Sequence, residues 1–165
     1  MVAEILFAEV QDKNELSEIL LEYGMGIPGE IEEQLIVKEN ERVVAGAKIV
    51  EYEDKHFFLE VLGVKQDKLC QGIGRLLMKE IVQNPWKCCK NPLSEFVPKG
   101  SYIIMTVARG YAVNFYKAIG FKSCNFLRLP KLFREQCSDC PDKEDCAPVP
   151  MEFVGGMPKG IYISR

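Results

Sequence analysis

The chain has 165 residues, 47% of them hydrophobic and 27% charged, with a formal net charge of −3. That length suits a single domain, residues 1–165, with a core of its own. The mildly acidic balance gives no support for nucleic acid or an anionic membrane as the main partner.

No apolar run approaches the length of a membrane span, and the opening MVAEILFAEVQDKNE has no basic stretch ahead of an apolar one. A cytoplasmic protein is therefore expected. Seven cysteines without a secretory signal point to reduced thiols, some available to a metal, rather than to a disulfide framework.

Residues Glu4 to Val10 read as a first strand. Asp12 stands where an N-cap would, with Glu15 three residues on in the capping-box place. Leu16, Ile19, Leu20 and Tyr23 give the helix that follows an apolar face, and Gly24 stops it. The stretch from Gly24 to Gly29 is a flexible connection. Strands are expected at Gln34–Lys38, Arg42–Tyr52 and His56–Val64, joined by turns short enough for antiparallel hairpins. His56, the only histidine, sits beside a turn and reads as solvated. Alternation along the third strand puts Phe58, Glu60, Leu62 and Val64 on one side. A carboxylate among such neighbours is costly to bury. Glu60 therefore lines a wet cleft, pairs with a cation, or faces solvent beyond the core.

After a polar loop from Lys65 to Gln71, Gly72-Ile73-Gly74 opens an amphipathic helix whose apolar face is Ile73, Leu76, Leu77 and Ile81. The first four N–H groups of a helix lack internal partners, and the macrodipole favours an anion there. Glycines let a phosphate or pyrophosphate approach that backbone. A P-loop would need Lys-Ser or Lys-Thr after its last glycine, and Arg75-Leu76 stands there instead. A dinucleotide fingerprint would need a third small residue near Leu77. A tight strand-to-helix connection without a ligand is the other reading.

The segment Leu69-Cys70-Gln71-Gly72-Ile73-Gly74 resembles the acyl-CoA motif of the GNAT superfamily of N-acyltransferases, Arg/Gln-x-x-Gly-x-Gly/Ala, with Leu69 replacing the first residue. Further on, Ala112, Phe115, Tyr116, Gly120 and Phe121 are similar to the second GNAT signature, Asn-x-x-Ala-x-x-Phe-Tyr followed by Gly-Phe, with Arg109 in the Asn place. The resemblance implies an α/β (α+β) fold: a central, mostly antiparallel mixed sheet of about six to seven strands, splayed at the CoA site and flanked by helices. It implies an N-acetyltransferase that moves an acetyl group from acetyl-CoA to a primary amine, in a small molecule or a protein, by direct attack. Its CoA contacts would come from Leu62, Gly63 and Val64 on the splayed strand and from Leu69, Cys70, Gln71, Gly72, Ile73, Gly74 and Arg75 in the pyrophosphate turn. Arg109, Asn114 and Tyr116 would complete them. Tyr116 would protonate the departing thiolate and Glu60 would act as general base, while the Gly24–Gly29 region would border the acceptor. A non-catalytic CoA-binding or metal-sensing module on the same fold is the alternative, and the oligomer is a monomer or a homodimer.

Beyond Asn84-Pro85 an irregular connection is expected around Trp86 to Pro92, followed by a strand from Tyr102 to Val107 and a helix from Tyr111 to Ile119. The spacing Cys137-x2-Cys140-x5-Cys146 is the least typical part of the chain. Two thiolates at Cys-x2-Cys spacing converge on one ion, so structural zinc or another thiophilic metal is one reading. Its fourth ligand would be Cys124, Cys88, Cys89 or His56. A loop with free thiols and an iron–sulfur cluster are the others. A closing strand is expected at residues 161–164.

Overall fold

In the computed structural model, residues 2–156 are described. They build a seven-stranded sheet in the order β1-β2-β3-β4-β5-β7-β6. The strands are β1 (Ala3–Phe7), β2 (Leu35–Glu39), β3 (Arg42–Glu53), β4 (His56–Val64), β5 (Tyr102–Ala108), β6 (Lys122–Ser123) and β7 (Val149–Gly155). Only β4 and β5 run parallel; every other pairing is antiparallel. The helices are α1 (Lys13–Leu21), α2 (Ile73–Gln83), α3 (Pro85–Cys88), α4 (Val113–Ile119), α5 (Lys131–Ser138) and α6 (Lys143–Cys146). None of the described helices is long and apolar enough to cross a membrane. The strand expected at residues 161–164 lies outside the described residues; the seventh strand is β7, further upstream.

Each face of the sheet has its own core. On one face Leu77, Ile81, Trp86 and Tyr116 pack with Phe57, Leu59 and Ile104 of the strands. On the other, Leu16, Ile19 and Leu20 of α1 pack with Ile36, Val43 and Val61, while Phe133 of α5 packs with Phe58 and Met105. Helix α1 sits close because β3 and β4 present glycines to it. A Cβ on Gly46 would stand 2.3 Å from Leu16 Cδ1 and one on Gly63 2.9 Å from Leu20 Cδ2.

Three local expectations are corrected. Asp12 does precede α1, but its carboxylate does not cap that helix. It accepts from the Glu9 N–H at 2.9 Å and pairs with Lys38 Nζ at 2.8 Å, while Glu15 pairs with Arg42 at 2.7 Å. Leu76 is 42% exposed, and Met78 and Val82 fill the buried face of α2 in its place. The stretch after Asn84 is not irregular throughout. Pro85 starts α3 at the position where its missing N–H costs nothing. Trp86 then packs edge-on against Phe57 and Tyr102 with ring centroids 5.0 and 5.3 Å away. Buried Glu51 fastens this region from β3, accepting from Trp86 Nε1 at 3.2 Å and from the Leu93 N–H at 2.8 Å.

Candidate active site

Two irregularities in β4 create the site. The first is a bulge: Lys48 of β3 stands opposite Val61 and Ile49 opposite Leu59, so Glu60 is the extra residue. A bulge interrupts strict alternation and re-aims side chains. Val61 and Gly63 therefore pack toward α1, and Leu62 and Val64 pack on the opposite core. The expectation that Phe58, Glu60, Leu62 and Val64 share one side is corrected on this ground. The second is the parting of β4 from β5, whose pairing covers only His56–Phe58 against Ile103–Met105. Beyond it the β4 edge has no strand partner on that side among the described residues. The Thr106 hydroxyl donates to the Leu59 carbonyl at 3.0 Å where the strands separate.

A cleft of about 830 Å³ opens in this gap. Its lining includes Leu62, Gly63 and Val64 from the strand edge, then Leu69, Cys70, Gly72, Ile73, Gly74 and Arg75 from the turn into α2. Arg109, Tyr116 and Glu60 line it as well. Thirteen of the residues singled out by sequence are cofactor contacts on paper; two of those, Gln71 and Asn114, are exposed and do not line the cleft. The lining not expected among the site residues includes Tyr23, Lys68 and Thr106, and Phe115 of the second signature lines it as well. Met25, from the connection after α1, lines it too. Tyr23 carried a usable signal as an aromatic at the end of an amphipathic helix. Its hydroxyl donates to the Val64 carbonyl.

The two glycines do different jobs. Gly72 caps α2 with φ +82° and has open space where a Cβ would stand, so its backbone faces the cleft unshielded. A Cβ on Gly74 would meet Val64 Cγ2 at 3.3 Å and the Phe115 ring at 3.4 Å, so this glycine seats α2 against α4. Cys70, also at positive φ (+62°), completes the sharp turn and is exposed. The unpartnered amides of α2 thus point at the cleft mouth, where an anion is favoured.

Tyr116 is 7% exposed and reaches the cleft from α4. Burial pushes its phenol pKa up, a hydrogen bond with the Thr106 side chain pulls the other way, and the net direction is upward. The phenol stays protonated across the neutral range. Glu60 borders the cleft with its side chain 21% exposed. Lys48 Nζ lies 2.8 Å from its Oε2, close enough for an ion pair but without hydrogen-bond angles, and 3.6 Å from Glu33 Oε1. A bound amine would thus meet the other carboxylate oxygen. Of the three readings of Glu60, the wet cleft and the paired cation both hold.

A second cavity, about 170 Å³, lies on the α5 side of the sheet and shares Glu60, Val107 and Arg109 with the cleft. Cys137, Cys140 and Cys146 all line it. Burial raises the Cys137 thiol pKa, and the neighbouring Cys146 and Cys140 raise it further. Among the described residues no three His, Cys, Asp or Glu side chains are grouped so as to hold a metal ion, so the zinc reading finds no support. The suggested fourth ligands are elsewhere. Cys88 and Cys89 are buried in the core around Trp86, with the Cys88 thiol pushed up to about 12 by burial. Cys124 packs beside Phe133, and His56 Nδ1 engages the Asp54 carbonyl at 2.8 Å.

Solved structures with this architecture include the N-acetylglutamate synthase of Neisseria gonorrhoeae complexed with coenzyme A and N-acetyl-glutamate. It is 13% identical over 93% of this chain, with a TM-score of 0.70, and the chain spans 35% of its length. Ard1 from Thermoplasma volcanium is 14% identical, with 93% of this chain and 98% of that one covered and a TM-score of 0.65. The ribosomal-protein-S18-alanine N-acetyltransferase of Escherichia coli is 15% identical, with 97% and 98% covered and a TM-score of 0.65. At such identities the likeness speaks for the fold. No curated protein sequence matches the chain. The family comes from sequence: residues 4–90, just over half of the chain, match the acetyltransferase (GNAT) family. With the splayed sheet and the glycine-capped helix beside it, that match means that the chain belongs to the GNAT acetyltransferase family.

Proposed function

We propose that the protein is an N-acetyltransferase that moves an acetyl group from acetyl-CoA to a primary amine. The observation that carries this reading is Tyr116, a buried protonated phenol set against the β4–β5 gap and the N-terminus of α2. The α2 amides at Gly72–Gly74 would take the pyrophosphate, with Lys68 and Arg75 supplying positive charge at the mouth. The free edge of β4 from Leu62 to Val64 would pair with the amide groups of the pantetheine arm, and a β4 N–H would stabilise the oxyanion.

The amine attacks the thioester only when neutral. Glu60, directly or through a water, is the group placed to take the ammonium proton. The C–N bond then forms, negative charge collects on the acyl oxygen, and collapse breaks the C–S bond. A free thiol has a pKa of about 8.5 against about 10 for a phenol, so transfer from Tyr116 relies on close hydrogen bonding and on the same burial raising the thiol. No covalent enzyme intermediate is needed, and Cys70 serves the turn.

Tyr116→Phe tests the reading. The variant should bind acetyl-CoA as the wild type does while releasing CoA roughly 10²–10⁴-fold more slowly. Unchanged turnover would remove Tyr116 as the acid. A wild-type protein that binds acetyl-CoA but acetylates no amine in a broad panel would favour a non-catalytic binding module.

A further inference from the structure

The smaller cavity bears on the kind of amine. It shares Glu60, Val107 and Arg109 with the cleft and lies on the face of the sheet opposite the core that holds Tyr116. An acceptor seated there would reach the thioester through the gap between β4 and β5. At about 170 Å³ it has the volume of some six water molecules, at about 30 Å³ each. That is room for an acceptor the size of a small metabolite.

Its charges are uneven. The Glu60 carboxylate is already balanced by Lys48 at 2.8 Å. Arg109, half-buried at the end of β5, forms no salt bridge among the described residues, although it lines the same cavity as Glu60. Lys143 adds a second cation at the exposed rim, also without a carboxylate partner among the described residues, its ammonium 6.0 Å from the Phe126 ring centroid. The acidic side chains of the segment, Asp139, Asp142, Glu144 and Asp145, are exposed and do not line the cavity. The remaining wall is mostly apolar or soft, with Phe58 stacked on Phe133 at 3.8 Å and the three thiols, and Gln136 adds one neutral amide. A plain amine would satisfy Glu60 and offer Arg109 no anion on the acceptor side. A guanidinium in a partly buried site is matched best by a carboxylate, bidentately.

We propose that the acceptor is a small α-amino acid, its carboxylate held by Arg109 with Lys143 at the rim and its ammonium directed at Glu60. This rests on the acyltransferase reading above and narrows it. In the reaction the amino nitrogen forms the new C–N bond and the C–S bond of the thioester breaks. Of the three ammonium protons one passes to Glu60 before attack and one stays on the amide; the third leaves the nitrogen as the intermediate collapses and replaces the proton that Tyr116 gives to the departing thiolate. Arg109 is then an acceptor-positioning residue, although its place in the second sequence signature also suggested a CoA contact.

The experiment compares matched pairs of acceptors: L-alanine against ethylamine, and L-methionine against 3-(methylthio)propylamine, with acetyl-CoA affinity measured separately by calorimetry. The amino acids should have kcat/KM at least tenfold above their carboxylate-free partners. Arg109→Met should raise KM for the amino acids at least tenfold more than KM for the plain amines. Lys143→Met should do the same more weakly. If the carboxylate-free amines or a peptide N-terminus prove equal or better substrates, the inference is overturned and the acyltransferase reading stands. If Arg109→Met weakens acetyl-CoA and spares acceptor KM, Arg109 belongs to the cofactor and the inference is overturned. Failure of the wild type to bind acetyl-CoA would overturn both.

Discussion

The two sides of the β4–β5 gap are built by different means. On the α2 side the recognition groups are backbone: a helix N-terminus, a glycine at φ +82° and an unpaired strand edge. On the α5 side they are side chains, Glu60, Arg109 and three thiols, delivered by a bulge and by two short helices. A backbone site fits one kind of ligand and tolerates little change in the residues that bend it. A side-chain site is re-specified by single substitutions without disturbing the fold, which suits the half of a transferase that selects the acceptor.

Substitutions should sort along that division. Trp86→Ala removes an indole packed on Phe57 and Tyr102 and one of the two donors to Glu51 Oε2 among the described residues, leaving only the Lys55 N–H at 3.0 Å. Urea denaturation should show a loss of about 3–5 kcal/mol, because the cavity opens in the core that seats α2. A loss under about 1 kcal/mol would mean that this core collapses onto the gap. Gly72→Val should cost at least about 1–2 kcal/mol for the left-handed conformation. It should also weaken acetyl-CoA at least tenfold, because the new side chain stands in the open space of the cleft. Wild-type affinity would disconnect the α2 turn from the cofactor.

Asp12 sharpens the comparison from outside the site. Burial pushes its pKa up, but the Lys38 hydrogen bond, the Glu9 N–H and the Lys38 charge outweigh this and hold it below the usual carboxylate value. A depressed folded-state pKa adds stability above the unfolded value, about 3.9, and that stability disappears as pH falls through the folded value. Asp12→Asn should therefore cost about 1–3 kcal/mol at neutral pH and progressively less below about pH 4 in thermal or urea melts. A difference that does not shrink at all as the pH falls from neutral to about 2 would assign the effect to packing. The smallest change is expected from replacing Cys137, Cys140 and Cys146 together by serine. Stability should stay within about 1 kcal/mol and acetyl-CoA affinity should not move, since these half-buried thiols line only the smaller cavity. Stoichiometric zinc in the wild type, lost in this variant with a large drop in stability, would restore the metal reading.

The sequence carried much of the α2 side. Strand, turn and helix were readable because period-2 and period-3.6 patterns meet at a glycine pair, and Tyr116 because it falls in a longer signature. What escaped has physical causes. A bulge shifts alternation by one residue and leaves no mark of its own in the composition, so the face of Glu60 was misjudged. The Lys48–Glu60 pair joins two strands, and Trp86 with Glu51 joins a helix to a strand 35 positions earlier; neither is local. Cys-x2-Cys spacing signals chelation only if a third and fourth ligand converge, and convergence is a tertiary property. Strand β7 went unread where its Pro150 breaks the apolar run near the start of the strand.

The most direct measurement is calorimetric titration of the folded protein with acetyl-CoA and with CoA, run beside Gly72→Val. The wild type should bind both ligands saturably, one to one, and the variant should bind them at least tenfold more weakly. A folded wild type that takes up neither ligand would contradict the acyltransferase reading.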